Sequence, residues 1–310
     1  MKQVIRFCLA AVLCLETIPL KAQIVWKTDA EMGNLRGKVK EVTQYEITEQ
    51  KTFHADTLAK LQRQGLKPPY YKREISSKAT YDKYGYFLEE TSFGPLGRRE
   101  VYTYRGPGQV LERKTYNSDG TLRLVYAFSY DAEGKAKQAV RTNWQTGECV
   151  FVETFEHFPK TRTMICTHTN ANGATQVQQL EKHQNGKIKR LTVSSEGKIV
   201  QDMLCNQQGD VTEALMGSRK TFIQYAPHKR INTTYQLDDA GRRTLVETSE
   251  ATLDDYGNVL REEKRSADGT LLSFDERSYQ YDRQGNWIRC ERKNSRDYLN
   301  LTYERVITYY

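Results

Sequence analysis

The stretch Tyr279-Gln280-Tyr281-Asp282-Arg283-Gln284-Gly285-Asn286-Trp287 contains the pattern that decides the fold. An Asp three residues before a Gly favours a type I turn, because the short side chain accepts a backbone N–H two residues further on. The Gly then takes a positive φ and closes a three-residue hairpin loop with a bulge. Tyr281 and Trp287 flank this turn, so we expect them to face each other across the two strands.

The same turn recurs along the chain. Asp, Asn or Ser stands three residues before Gly ten times from residue 82 onward, whereas the composition predicts roughly two or three such coincidences. The ten turns are Asp82/Gly85, Asn117/Gly120, Asp131/Gly134, Asn170/Gly173, Ser194/Gly197, Asn206/Gly209, Asp238/Gly241, Asp254/Gly257, Ser266/Gly269 and Asp282/Gly285. In each turn, the residue directly before the Asp, Asn or Ser should pair across the two strands with the second residue after the Gly. Both members of the pair are apolar or aromatic in seven of the ten pairs.

The segments between turns have the composition of strands. Leu124, Tyr126, Phe128 and Tyr130 alternate with other residues, as on a strand with one buried face. A turn about every dozen residues, with no helical pattern between, predicts an all-β fold. We therefore expect a long antiparallel meander of repeated hairpins that forms an open, curled or spiralling sheet.

The N-terminal part of the chain divides into two segments before the repeats begin. Residues 1–22 resemble a secretory signal peptide, with Lys2 and Arg6 before a short apolar run at 7–15 and a cleavage site near Ala22. Two alternatives are a lipoprotein anchored at Cys14, although Leu13 fits that motif poorly, and a retained membrane anchor. Residues 23–77 should hold a first strand at 38–48 and a short helical insertion at 49–66. The repeat region, 78–310, should continue the same domain.

Charge and cysteine content limit the partners and the stabilising chemistry. The formal charge is +8, and removal of residues 1–22 takes away three basic residues and one acidic residue, leaving +6. Basic residues alternate with acidic ones at 261–265, which favours charge pairs on a solvated sheet face over nucleic-acid binding. After cleavage near Ala22 no apolar segment long enough to span a membrane is left. The four remaining cysteines allow one or two disulfides in any of three full pairings, and they are Cys149, Cys166, Cys205 and Cys290.

The repeated turn resembles the YD repeat of RHS-type proteins. Phe128-Ser129-Tyr130-Asp131-Ala132-Glu133-Gly134-Lys135 and the stretch at 279–287 match the motif best, and the resemblance covers roughly residues 78–295. It implies an antiparallel sheet built from hairpins. The large members of that family enclose a C-terminal toxin in a shell, but this chain is too short for such a shell and ends in a strand. It looks more like short secreted proteins with degenerate repeats, for which the resemblance implies binding to carbohydrate or to the cell envelope.

Motifs for catalysis are missing from the sequence. No phosphate-binding loop, dinucleotide fingerprint or metalloprotease signature occurs, so we expect no cofactor. Cys149, Cys166, His168 and His183 could in principle hold zinc, but their spacing fits no standard site, and we expect no metal. Acidic pairs such as Asp254-Asp255 and Glu262-Glu263 leave open a glycosidase-like hydrolase with an unrecognised carboxylate site.

Aromatic residues on strands are the remaining functional signal. Such side chains can stack on sugar rings, although they serve more often to pack a sheet. The candidate ligand-binding residues are Tyr102, Tyr104, Tyr126, Trp144, Tyr279, Tyr281 and Trp287. The sequence thus predicts an exported, non-enzymatic binding or structural module in the periplasm or at the cell surface. Its expected partner is a glycan or a cell-envelope protein.

Overall fold

The computed structural model describes residues 29–50, 63, 70–94, 96–295 and 300–310. A four-residue helix, α1 (Asp29–Met32), precedes twenty strands in the described residues. The strands are β1 (Val39–Gln50), β2 (Tyr70–Tyr81), β3 (Phe87–Ser92), β4 (Arg98–Gly106), β5 (Gln109–Asn117), β6 (Leu122–Tyr130), β7 (Ala136–Asn143), β8 (Cys149–Phe158), β9 (Thr163–Asn170), β10 (Thr175–Lys182), β11 (Ile188–Ser195), β12 (Lys198–Cys205), β13 (Val211–Met216), β14 (Arg219–Ala226), β15 (Lys229–Leu237), β16 (Arg243–Leu253), β17 (Val259–Ser266), β18 (Leu271–Tyr281), β19 (Trp287–Asn294) and β20 (Asn300–Tyr309).

The sheet is an antiparallel meander that closes into a barrel. Each strand pairs with its neighbours in sequence, and β1 pairs with both β2 and β20. Val42 lies opposite Ala79 on one side and Ile307 on the other. The all-β meander is therefore confirmed, but the expected open, curled or spiralling sheet is wrong. Closure is favoured because it pairs the N–H and C=O groups that an open sheet leaves bare at its two edges.

The predicted hairpin register is confirmed in nine of the ten turns. Tyr281 lies opposite Trp287, with a one-residue register shift at the turn, and Gly285 has a φ of 80°. The Gln284 N–H donates to Asp282 Oδ1 at 2.9 Å, which is the turn contact expected of Asp. The same contact occurs in the turns that begin at Asp82, Asp131 and Asp254.

The turn from Asn117 to Gly120 has the predicted backbone but different side-chain contacts. Gly120 has a φ of 84°, and its N–H donates to the Asn117 carbonyl at 3.0 Å. The Asn117 Nδ2 donates to the Thr121 hydroxyl at 2.9 Å, and the Thr121 N–H donates to Asp119 Oδ1 at 2.9 Å. Gly120 is exposed, and nothing lies within 4 Å of a Cβ built there. Gly120 therefore packs against no other element, and glycine is needed at this position only for its positive φ.

The turn between β11 and β12 departs from the predicted register. Val193 lies opposite Gln201, not the expected Ile199. Glu196 and Gly197 both have positive φ there, so the connection is a two-residue loop and the register moves.

Two predicted segments lie largely outside the described residues. The signal peptide at 1–22 is one of them. The helical insertion at 49–66 is the other, and its first two residues belong to β1, where the prediction of helix is wrong. The pairing of β1 with β2 and β20 extends to Glu49 and outweighs the local helix-like composition.

One face of the barrel wall is buried and carries the core. Its main cluster runs across β6 to β12 and includes Tyr126, Phe151, Cys166, Leu180 and Met203. This buried face also holds charges, because Glu100, Glu153 and Asp275 are among the buried residues. The predicted surface charge pairs exist as well, for example between exposed Arg261 and Glu263.

The barrel end at which the even-numbered strands finish is named the α1 end, because α1 lies against it. There the Ala30 N–H donates to the Gly85 carbonyl at 3.0 Å, and the Phe87 N–H donates to Asp29 Oδ2 at 2.9 Å. The chain then passes the turns at 254–257 and 282–285, where the Asn286 side chain hydrogen-bonds both the N–H and the carbonyl of Arg36. Residues 29–39 thus form hydrogen bonds with hairpins on both sides of β1.

Candidate functional site

A cavity of about 320 Å³ opens at the α1 end, where three successive hairpin turns meet. These turns follow β6, β8 and β10, so the cavity lies at the end of the main core. The lining side chains that define its chemistry are Lys135, His157, Phe158, Arg162, Lys182 and His183. Its volume is at the small end of the range for small-molecule sites.

The two histidines are fixed by backbone contacts. His157 ends β8, and its Nε2 lies 2.9 Å from the Ala136 carbonyl oxygen. His183 follows β10, and its Nε2 lies 3.2 Å from the Cys205 carbonyl oxygen. Because a carbonyl oxygen can only accept, Nε2 carries the proton in both rings. With Nε2 donating to the carbonyl oxygen, Nδ1 of each ring is the nitrogen left for a ligand.

Arg162 occupies a backbone position that other turns give to glycine. Its φ is 54°, in the left-handed region, and its N–H donates to the Pro159 carbonyl at 3.2 Å. The Arg162 carbonyl accepts from the Lys182 N–H at 3.0 Å, which ties the turn after β8 to the end of β10. A non-glycine residue in this conformation stores about 1 kcal/mol of strain, and such strain is concentrated at functional sites.

Basic side chains line the cavity. Lys135 is paired with Glu133 at 2.6 Å, so its charge is largely balanced. Burial lowers the pKa of Lys182, because the ammonium loses water that would stabilise its charge. None of the described lining residues is acidic. The site therefore offers basic hydrogen-bond donors beside the ring of Phe158, which is 42% exposed and available for apolar contact.

A second polar group lies inside the core, on β8 and β9, the strands that also contribute His157 and Met164 to the cavity. Glu153 has no exposed surface, and its Oε1 lies 3.2 Å from His168 Nδ1. The Tyr126 hydroxyl donates to Glu153 Oε2 at 3.3 Å, and His168 Nε2 lies 2.8 Å from Asn170 Oδ1. The hydrogen bond to Glu153 raises the pKa of His168, while burial raises the pKa of Glu153. Both side chains are buried, so a ligand in the solvent does not reach them.

The aromatic candidates at Tyr102, Tyr104 and Tyr126 lie in or beside the core. Tyr126 is 1% exposed, and Tyr102 is buried with its hydroxyl donating to Glu100 at 2.6 Å. The Tyr104 hydroxyl donates to the Phe87 carbonyl at 2.6 Å. Tyr102 and Tyr126 are thus core residues in this structure, and Tyr104 is partly buried beside them.

Tyr279, Tyr281 and Trp287 do come together at the α1 end, as neighbours in one hairpin. The ring of Tyr279 lies 6.0 Å from Tyr281 and 6.2 Å from Trp287. The Arg305 guanidinium stacks on Trp287 at 3.6 Å, and the Tyr281 hydroxyl hydrogen-bonds Asp254. These contacts hold the rings together and cover a face of Trp287.

Trp144 is the candidate with an open surface. Its side chain is 60% exposed, at the end of the barrel opposite α1. It lies apart from the other aromatic candidates, in the turn between β7 and β8.

The other chemistry raised by the sequence is not assembled in the described residues. No group of three or more potential metal ligands comes together among them, and the four cysteines of the sheet are unpaired. Cys149 is exposed, whereas Cys166 and His168 are buried. No helix in the described part of the chain is long and apolar enough to cross a membrane.

Comparison with known proteins gives only distant similarities. No protein-family model matches the chain, and no curated protein is similar to it. A porin-like protein from Bacteroides uniformis is 12% identical, with a TM-score of 0.37 over 88% of this chain and 98% of that one. The TcdB2-TccC3 structure without its hypervariable C-terminal region is 12% identical, with a TM-score of 0.20 over 81% of this chain and 18% of that one. A porin-like protein from Bacteroides vulgatus is 9% identical, with a TM-score of 0.22 over 88% and 98%. Similarities this weak say nothing about function.

Sequence reasoning missed the cavity. Lys135, His157, Arg162 and Lys182 are scattered over 48 positions and share no motif. Two signals were available: the turn after β8 lacks glycine, and each basic residue stands at the end of a strand or in the turn that follows it. These signals become meaningful only when the hairpins are placed side by side.

Proposed function

We propose that this protein is an exported, non-enzymatic binding module of the cell envelope, whose ligand is a glycan held in the cavity at the α1 end. The observation that carries the proposal is the exposed Phe158 ring beside hydrogen-bonding basic side chains in the cavity. Sugars are commonly bound by a ring that meets the apolar face and polar groups that meet the hydroxyls. The signal-like residues 1–22 support export to the periplasm or cell surface.

The resemblance to YD repeats belongs to the same proposal. We take the recurrent Asp-x-x-Gly turn as a degenerate YD-type repeat that serves as a scaffold. The chain then uses a small set of side chains on the hairpin ends for binding, while the repeat itself provides stability.

The hydrolase alternative has weaker support. A glycosidase needs two carboxyl groups on either side of a bond in an open site. The cavity has no acidic residue among its described lining residues. The buried acids are engaged elsewhere, since Asp275 is bound by Arg277 and Arg292 at 2.9 and 3.0 Å.

A glycan array probed with the chain from Gln23 onward tests the proposal. We expect binding to a defined set of glycans, and we expect Phe158→Ala to abolish it. The matched control is Phe93→Ala, because Phe93 is also about half exposed (48%) but lies at the opposite end of the barrel. Binding that survives Phe158→Ala would place the site elsewhere, and no binding to any glycan would refute the carbohydrate proposal.

A further inference from the structure

One side of the outer barrel wall carries no charged side chain. On β6 to β10, the residues that alternate with core residues such as Tyr126 and Cys166 point out of the barrel. All of them in the middle of these strands are Val, Ile, Ala, Thr, Ser or Gln, and none is buried. We name this set the uncharged patch, and it consists of the outward residues within 125–129, 138–142, 152–154, 163–169 and 177–179.

The uncharged patch is continuous from strand to strand. Its middle row is formed by neighbours in the sheet, which are Ser129, Gln138, Thr154, Thr167 and Val177. Thr154 lies on β8, the central strand of the five, and its side chain is exposed. The patch is therefore a single surface, not a set of separate apolar residues.

The outer wall at β17 and β19 is built differently. β17 presents Arg261, Glu263 and Arg265, and Arg261 is paired with Glu263 at 2.6 Å. β19 presents Arg289 and Glu291, which are 3.1 Å apart. Because a solvated protein surface normally carries such charges of both signs, their depletion on β6 to β10 indicates a surface that is covered by a partner.

Ion pairs border the uncharged patch on both sides. On β5, Lys114 is paired with Glu112 at 2.7 Å. Beyond β10, Arg190 on β11 is paired with Asp202 on β12 at 2.8 Å. A centre depleted of charge inside a charged rim is the composition found in protein–protein interfaces.

The size of the uncharged patch is sufficient for a weak specific interface. Five strands about 4.8 Å apart, each contributing about 20 Å of its length, cover roughly 500 Å². Two such surfaces packed face to face would bury roughly 1,000 Å² in total, which is the lower limit for a specific interface. We therefore expect association in the micromolar range.

The geometry of the barrel and the lack of charge select the partner. Every described strand has a neighbour on each side, so a partner cannot add a strand at a free edge and has to pack on a face. A surface without charge offers no ionic attraction to an acidic or a basic partner. A second copy of the same surface fits it, because a two-fold axis brings the patch against itself with no contact between like charges.

We propose that the uncharged patch is the interface of a homodimer, in which two copies of this chain pack face to face through β6 to β10. Sedimentation equilibrium of the chain from Gln23 onward, from about 1 to 200 µM, tests the proposal. We expect the average mass to rise from that of one chain to that of two. The association should not weaken when sodium chloride is raised from about 50 to 500 mM, because no ion pair holds the patch to its copy.

A charge placed at the centre of the uncharged patch should prevent association. Thr154→Lys puts two ammonium groups close to the two-fold axis, so we expect at least a tenfold weaker dimer. The matched control is Thr308→Lys, because Thr308 is also exposed, lies on β20 on another side of the barrel and is opposite Glu41. Gln138→Lys is a second variant at an exposed position of the patch, and melting temperatures show that each variant is folded.

The outcomes decide the proposal without depending on the cavity at the α1 end. A chain that stays monomeric at about 200 µM overturns it. A dimer that survives both Thr154→Lys and Gln138→Lys, or one that dissociates as salt is raised, uses another surface and overturns it too. If the chain is monomeric and Thr154→Lys instead abolishes glycan binding, the patch is a glycan surface and not a dimer interface.

Discussion

The Tyr256 ring lies directly over Gly285. A Cβ atom at Gly285 would stand 2.8 Å from Tyr256 Cε1, closer than side chains approach each other. Tyr256 cannot easily move away, because it packs on Tyr281 with ring centroids 4.5 Å apart and under the Arg36 guanidinium at 4.7 Å. Two neighbouring turns at the α1 end are thus stacked through a tyrosine of one and a glycine of the other.

Gly285→Ala should therefore destabilise the protein more than the same change at Gly257. Both glycines have positive φ, 80° and 83°, so each substitution costs about 1 kcal/mol from the backbone. Nothing lies within 4 Å of a Cβ at Gly257, whereas Gly285→Ala adds a clash that should raise the loss to about 2 kcal/mol. Urea unfolding of both variants measures the difference. Equal losses would mean that the Tyr256 contact is not tight, and an unchanged Gly285 variant would refute the bulge conformation.

Asn286 is predicted to be the residue that fixes the N-terminal segment to the barrel. It is 1% exposed, accepts from the Arg36 N–H at 2.6 Å, and donates to the Arg36 carbonyl at 2.9 Å and to the Tyr309 hydroxyl at 2.7 Å. Asn286→Ala leaves several of these groups unpaired, so we expect a loss of about 2 to 3 kcal/mol in the free energy of unfolding.

The matched control is Asn258, the equivalent residue of the neighbouring turn at the α1 end. Asn258→Ala removes hydrogen bonds to Asn34 and Tyr281 at a more exposed site and should cost about 1 kcal/mol. Hydrogen exchange at the Arg36 amide reports the local effect. A larger loss for Asn258→Ala would contradict the assignment of Asn286 as the main anchor.

The buried pair of Glu153 and His168 should make stability depend on pH. The hydrogen bond to Glu153 raises the pKa of His168 above its ordinary value of 6.5. The folded state therefore binds the proton more tightly than the unfolded state, so the stabilisation is complete below pH 6.5 and is lost as the pH rises through the folded-state pKa. Burial raises the pKa of Glu153 as well, so proton binding at Glu153 also stabilises the folded state. This contribution is likewise lost as the pH rises, starting at a lower pH than that of His168.

Replacement of the carboxylate tests this dependence. Glu153→Gln should lower the pKa of His168, measured by NMR of the imidazole C–H, and flatten the loss of stability above pH 6.5. The C–H signal of the exposed His228 ring serves as the internal reference of the spectra. A His168 titration that is unchanged by Glu153→Gln would show that the pair does not control the histidine.

Trp144 and Trp287 should behave differently when they are replaced by alanine. Trp144 is mostly exposed, so Trp144→Ala should change the free energy of unfolding by no more than about 0.5 kcal/mol. Trp287 stacks under Arg305 and packs on Tyr279, so Trp287→Ala should lose about 2 kcal/mol. Melting temperatures compare the two. A stable Trp144→Ala protein that no longer binds glycans would move the binding site from the α1 end to the opposite end of the barrel.

Much of the sheet could be predicted because its turns are local. The conformation of Gly285 depends on Asp282 three residues earlier, and the pairing of Tyr281 with Trp287 follows from that one turn. The single register error, at Val193, arose where Glu196 as well as Gly197 takes positive φ, which the spacing of Ser194 and Gly197 does not reveal. The site was harder to predict, because Arg162 and Lys182 meet only through the pairing of two hairpins.

The amino-acid sequence by itself determined the repeated hairpins and the register of nine of the ten predicted turns, because each depends on contacts within one turn. The tertiary structure decided that β1 joins β20 and closes the barrel, that the ring of Tyr126 is a core residue, and that the basic side chains share a cavity. These features depend on contacts between residues far apart in the chain, up to Val39 with Tyr309. No local pattern encodes such contacts, since they form only when the whole sheet curves back on itself.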